Sequence, residues 1–253
     1  MKAIFMAKNK TSSCKALNFL IEKNVEVPFA VIPQGNNKLR EICNKNNIKI
    51  VTDSELYKLI KEDNEDIKSI DVVISFLYWK IIKKPLINLG KVGCINFHPA
   101  PLPDYRGVGG YNFAILNELK YWGVSAHYVD ENIDTGDIIQ VNEFEISNDI
   151  TVLELERISQ VELLKLFKAI ITKILNDEEL SSYTQSPDQG KYISKSDLEA
   201  AKEVTINSSQ EEIDKKIRAF WFPPYDGAYI IIDGEKYTLV NKEMLKKIAN
   251  NDS

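Results

Sequence analysis

Three cysteines and two histidines are all that this 253-residue chain contains of those types, and each scarcity narrows what it can be. Cys14, Cys43 and Cys94 are odd in number and far apart, with no C-x-x-C spacing, so neither a disulfide framework nor a metal site is expected. No apolar run approaches the length of a membrane span. The N-terminus, MKAIFMAKNKTSSC, has the short apolar block of a β-strand rather than the longer one of a signal peptide. A cytoplasmic protein without a membrane partner is expected. A basic excess is also missing. Lysine and arginine total 32 against 37 acids, a net charge of −5 and a pI near 5.3, and the lysines are mixed with acids rather than gathered into a stripe. Polyanion binding draws on such stripes, so no nucleic-acid partner is expected. Three N-x-S/T triplets, at Asn9, Asn207 and Asn251, read as chance matches in such a chain.

Hydrophobic residues make up 44% and charged residues 27%, the balance of an ordinary globular protein. The first half alternates short, β-branched apolar blocks (KAIFMA, VPFAVIP, IKIVT, DVVISFL, KVGCINF) with amphipathic stretches. That alternation predicts an α/β fold, a Rossmann-like, mostly parallel sheet with helices on both faces. A long helix is predicted from Thr151 through TVLELERISQVELLKLFKAIITKILND. Residues 1–180 would then form the N-terminal domain. After a polar, turn-rich crossing, residues 181–253 would form a small C-terminal subdomain. It would hold a helix capped by Ser209 and a hairpin, AYIIID and KYTLVN, turning at Asp233-Gly234.

The stretch INFHPAPLPDYRG (95–107) carries the most chemistry. It ends an apolar strand with Asn96 and His98, two apart and therefore on one face of an extended backbone, and continues as a proline-stiffened loop. Ends of strands in open α/β sheets are where ligands bind. Asp134, in DENIDTGDII, follows after an interval that holds one helix (YNFAILNELKYW) and one strand (GVSAHYVD), which returns an acid to the first strand's end. Taken singly, an Asn caps a chain end, a His packs and a D-T-G turns the backbone; together they make a site. His127 alternates inside a predicted strand with no motif around it, and its expected role is packing.

N-x-H, P-L-P-x-Y-R-G and D-T-G at this interval resemble the folate-dependent formyltransferases. The string FHPAPLPDYRGVGGYNFAILN (97–117) is most similar to the branch that formylates amino groups on nucleotide-linked deoxysugars, and KIRAFWFPPYDGAYI (216–230) extends the likeness. The resemblance implies formyl transfer from N10-formyltetrahydrofolate to a dTDP-linked amino-dideoxysugar, dTDP-4-amino-4,6-dideoxyglucose first, for surface polysaccharide such as lipopolysaccharide O-antigen. A GDP-linked or 3-amino sugar, methionyl-tRNA, or a folate- or nucleotide-binding module without turnover are the alternatives. Against tRNA stand the acidic balance and the few residues after Tyr192, too few for the complete barrel of the tRNA-formylating enzymes.

Formyl transfer to an amine needs a donor for the oxyanion, a group that exchanges protons, and something to hold that group. Asn96 suits the first task. His98, with a reference pKa of about 6.5, suits the second, and Asp134 the third. The resemblance places the pterin between SFLYWKII (75–82) and the strand leading to Asp134, with the backbones of Lys80, Ile82 and Val129 reading its edge and Trp79 as wall or core. For the nucleotide sugar, Lys10 and Ser12, with Thr11 and Ser13, precede a helix N-terminus, although the glycine-rich phosphate loop of glycinamide-type members is missing from KNKTSSCK. Tyr78, Tyr105 and Tyr111 are candidate hydrogen-bonding groups. Arg106 either pairs with a phosphate or holds the loop to the body. Trp221, Phe222 and Tyr225 offer faces on which a base can stack, or simply seal a junction beside Pro223 and Pro224. The hairpin presents more apolar surface than so small a unit can bury, so a homodimer through the C-terminal region is expected.

Overall fold

The computed structural model describes residues 1–186 and 190–251. Strand β1 (Lys2–Ala7) is buried along nearly its whole length and lies inside a seven-stranded sheet of order β3-β2-β1-β4-β5-β7-β8. The other parallel members are β2 (Glu26–Val31), β3 (Lys49–Ile50), β4 (Val72–Phe76) and β5 (Gly93–His98). Alternate side chains of β1 go to opposite faces. Ala3, Phe5 and Ala7 join one core, packed by α1 (Thr11–Glu22) and α2 (Lys38–Lys45), while Ile4 and Met6 join another with Leu56 of α3 (Asp53–Lys61). Helices thus cover both faces. The chain builds outward through β2 and β3, then crosses back to lay β4 on the other side of β1, which opens a crevice at the strand ends there.

Beyond β5 the chain forms the short β6 (Arg106–Gly107) and α4 (Gly110–Leu116), then closes the sheet with two antiparallel strands, β7 (Tyr121–Tyr128) and β8 (Ile138–Glu145). The helix expected over 111–122 therefore stops early. Glu118 takes a left-handed conformation (φ 52°), and Trp122 is withdrawn into the sheet, fully buried and opposite Phe144. The long α5 (Val152–Leu175) starts on a reciprocal cap between Thr151 and Glu154 and packs Leu163, Phe167, Ile170 and Ile171 into the first core.

The C-terminal segment carries β9 (Tyr192–Ile193), α6 (Lys195–Ala200), β10 (Glu203–Val204), α7 (Gln210–Phe220), the hairpin β11 (Tyr229–Ile232) and β12 (Glu235–Thr238), and α8 (Lys242–Asn251). Ser209 caps α7 by accepting from the Glu212 N–H, and Asp233 and Gly234, both at positive φ, make the hairpin turn. Two pairings were not legible beforehand. β10 adds a parallel strand to the hairpin, and β9 pairs in parallel with β6, which brings the crossing segment against the loop after His98. A core of Ala114, Trp122 and Leu155 with Ile217, Phe220 and Ala228 joins this segment to the main sheet. Among the described residues no helix is long and apolar enough to cross a membrane. The triplet at Asn251 runs into residues 252–253, outside the described residues.

Candidate active site

β5 lies between β4 and β7, so Asn96 has Ser75 opposite it on one side and His127 on the other, while His98 faces Ser125. The register makes a chain of hydrogen bonds. The Ser75 hydroxyl donates to Asn96 Oδ1 at 2.7 Å, Asn96 Nδ2 lies 3.0 Å from His127 Nε2, and His127 Nδ1 lies 2.7 Å from the Tyr128 carbonyl. A carbonyl only accepts, so the proton sits on Nδ1 and Nε2 is left to accept from the Asn96 amide. Burial pushes the His127 pKa down to about 4, the nearby Asp134 carboxylate opposing only part of that shift. The ring is neutral near pH 7. Among the described residues the second N–H of the Asn96 amide has no protein partner, and Asn96 lines the cavity described below. It is a fixed, untitratable donor.

Asp134 stands in the turn from β7 to β8 in a left-handed conformation (φ 56°). Thr135 ties the turn to Asp130, and a Cβ at Gly136 would run into the Tyr128 carbonyl, which explains the glycine. One carboxylate oxygen, Oδ1, lies 3.7 Å from both His98 Nδ1 and His127 Nε2, and the other accepts from the Gly107 N–H at 3.2 Å. Of the two imidazoles that face this carboxylate, His127 is held neutral and already accepts from Asn96. The packing role expected for His127 is corrected: it is buried, but its ring orients the amide and faces the acid.

These groups line a cavity of about 490 Å³. Tyr78, Trp79, Ile82 and Val129 are among its walls. Among the described residues the backbone groups of Lys80 and Ile82 have no protein partner, and the Val129 N–H is taken by the Cys94 carbonyl, leaving its own carbonyl free. Trp79, half exposed, stacks on Tyr78 rather than entering the core. Lys8, Lys10, Tyr111, Glu156 and Tyr192 also line the cavity. Lys10 pairs with Glu156 at 2.7 Å and lies 5.7 Å from the Phe222 ring centre.

Several expected substrate contacts are elsewhere. Arg106 is buried outside this cavity with Nε and Nη2 on Gln185 Oε1, so it holds the loop. The Tyr105 ring packs on Trp122 at 5.0 Å and only its carbonyl approaches His98. Ser12 is buried and donates to Gln160. Trp221 and Phe222 both pack against the core of Trp122 and Phe220, and neither they nor Tyr225, whose ring centre lies 5.9 Å from that of Phe222, line the cavity. Sequence reading missed Ser75, Glu156, Gln185 and Tyr192. Only Ser75 left a signal, as one hydroxyl inside a wholly apolar strand.

A mostly parallel sheet with a cleft at its strand ends is the architecture of a ligand-binding α/β protein. The chain belongs to the formyl transferase family, whose sequence profile matches residues 11–170. It is 27% identical to the methionyl-tRNA formyltransferase of Clostridium tetani over 98% of this chain and 81% of that protein. Against the methionyl-tRNA formyltransferases of Acetivibrio thermocellus and Clostridioides difficile, 31% and 32% identical over 61% of this chain, the match spans 53% of their length. Among solved structures it is similar to a 4-N formyltransferase from Francisella tularensis, with a TM-score of 0.73 and 26% identity over 95% of this chain and 97% of that one. It is equally similar to WlaRD, a sugar 3N-formyl transferase solved with dTDP and 5-N-formyl-THF, with a TM-score of 0.73 and 26% identity over 93% and 84%.

Proposed function

We propose that the protein transfers a formyl group from N10-formyltetrahydrofolate to the amino group of a dTDP-linked amino-dideoxysugar, with dTDP-4-amino-4,6-dideoxyglucose as the first candidate acceptor. The observation that carries this reading is one cavity lined by Asn96, His98 and Asp134, by the apolar Trp79, Ile82 and Val129, and by Lys8, Lys10 and Glu156. The apolar walls, the unpaired backbone groups of Lys80 and Ile82 and the Val129 carbonyl fit a flat heteroaromatic ring with hydrogen-bonding edges. A reduced folate bound there supplies the formyl carbon. Lys8, Lys10 and Glu156 suit a ligand that is anionic at its diphosphate and cationic at its amine. WlaRD's binding of dTDP and a formyl-folate supports the pair of ligands.

In this reading Asn96 offers its free N–H where negative charge grows on the formyl oxygen, and it needs no reorganisation because Ser75 and His127 already hold the amide. His98 takes the proton that the attacking amine must lose as its bond to the formyl carbon forms and gives it to N10 of the folate as the old bond breaks, with Asp134 stabilising the imidazolium in between. No covalent link to the enzyme is needed. Methionyl-tRNA is the second reading, favoured by curated relatives such as the Clostridium tetani protein. The net charge of −5 argues for the small acceptor. A cytoplasmic setting, a role in surface polysaccharide and a homodimer through the hairpin belong to the same proposal. The test is to mix the protein with N10-formyltetrahydrofolate and dTDP- and GDP-linked 3- and 4-amino sugars, with methionyl-tRNA in parallel, and look by mass spectrometry for an added formyl group.

A further inference from the structure

Gln185 belongs to the crossing segment, far in sequence from the residues of the cleft, yet its side chain is buried against the Asp134 turn. Its amide nitrogen donates to two carbonyls of that turn, Asp134 at 3.0 Å and Gly136 at 2.7 Å. Its amide oxygen is fixed from the other side by Arg106, which donates through Nε at 3.2 Å and Nη2 at 2.9 Å. Arg106 is itself only 7% exposed, and among the described residues no carboxylate forms an ion pair with it. A guanidinium is costly to bury without a carboxylate partner. The next residue, Gly107, gives its N–H to Asp134 Oδ2, so Arg106-Gly107 grips the acid twice, once through Gln185 onto the backbone and once on the carboxylate. The turn being gripped holds Asp134 in the left-handed conformation (φ 56°), which aspartate tolerates and which these contacts fix here.

We infer that Gln185 is a positioning residue for the formyl-transfer step: locked by Arg106, it holds the Asp134 turn so that the carboxylate faces His98. The inference rests on the function proposed above for its kinetic arm and on geometry alone for its structural arm. Gln185→Glu is the informative variant. It keeps the size and gives Arg106 a better acceptor, but it replaces the donor facing two carbonyls with an oxygen. Gln185→Ala removes both contacts.

The experiment measures kcat and KM for the acceptor in both variants, together with amide hydrogen exchange in the protein without ligands. The Gly107 N–H reports on the carboxylate, while the neighbouring Arg106 and Val108 N–H groups bond to the Lys191 and Ile193 carbonyls and report on the β6–β9 pairing. Both variants should lose about tenfold or more in kcat with KM within about threefold. The Gly107 amide should exchange about tenfold faster while Arg106 and Val108 keep their protection. Recovery of kcat in Gln185→Glu would overturn the proposal, because a role in satisfying Arg106 is all that Glu preserves. So would an unchanged Gly107 amide, or loss of protection at all three amides together, the mark of a merely structural contact. If the wild-type protein forms no formylated product, the functional reading falls, and the exchange pattern still decides whether Gln185 holds the turn.

Discussion

The Asn96 side-chain amide lies 3.0 Å from His127 Nε2, a nitrogen that must accept because the other ring nitrogen faces the Tyr128 carbonyl. Together with the Ser75 hydroxyl on Oδ1, this contact fixes which way the amide points. His127→Phe should therefore lower kcat by about tenfold or more with little change in KM, while His127→Gln, which can still accept from Asn96, should be milder. Ser75→Ala frees the other end of the amide and should cost about threefold to tenfold in kcat. Steady-state kinetics on the three variants checks this; equal rates for Phe and Gln at 127 would remove the orienting role.

The same ring makes stability depend on pH. The folded pKa of His127, about 4, lies below the unfolded value of 6.5, so the unfolded chain binds more protons between those limits. Its contribution is complete above about pH 6.5, falls as the pH drops and is lost near pH 4, a total of about 3 kcal/mol. His127→Gln removes this dependence. Urea unfolding of both proteins between pH 4.5 and 7 should give curves that converge toward low pH; parallel curves would contradict the buried neutral ring.

Much of this was written in the chain. The alternating blocks announced the parallel strands because strands buried on two faces must be apolar almost throughout, as β1 and β4 are. Asn96, His98 and Asp134 were singled out because one of only two histidines stands in N-x-H at a strand end and is followed by D-T-G after an interval that one helix and one strand can span. His127 was not, although Ser125 and His127 alternate with the core residues Val124 and Ala126; the pattern marked a two-faced strand, but the register that sets His127 opposite Asn96 is a tertiary fact. Gln185 and Tyr192 were hidden for the same reason. They lie in a polar crossing segment whose return to the cleft depends on pairing with a two-residue strand.

Ile231, Ile232 and Tyr237 are each about half exposed on the hairpin, and β12 is an edge strand. Edges of this kind pair with other chains unless they are blocked. Light scattering at micromolar concentration should give a dimer mass for the wild type and a monomer mass for Ile231→Lys/Tyr237→Lys. A wild-type monomer would remove the idea.

Phe222 and Trp221 both pack on the core of Trp122 and Phe220, and Phe222 also lies 5.7 Å from Lys10, which lines the cavity. Calorimetry with a dTDP-sugar should show a loss on the order of 1–3 kcal/mol for Phe222→Ala if the base stacks there. Trp221→Ala should lower stability instead. Binding of so few charges should also depend less on salt than tRNA binding, whose slope grows with each phosphate neutralised. Unchanged affinity in Phe222→Ala would place the base elsewhere.

The central claim is that Asn96, His98 and Asp134 carry out formyl transfer to a nucleotide-linked amino sugar. Mass spectrometry of product formed from N10-formyltetrahydrofolate and the amino-sugar panel, under single-turnover conditions, tests it most directly. The wild type should add one formyl group to a dTDP-sugar and leave methionyl-tRNA unmodified at physiological salt. His98→Asn and Asp134→Ala should each slow the step by about 10²-fold or more while still binding the sugar nucleotide. Near-normal turnover by His98→Asn, or rapid formylation of methionyl-tRNA with none of the sugars modified, would contradict the account.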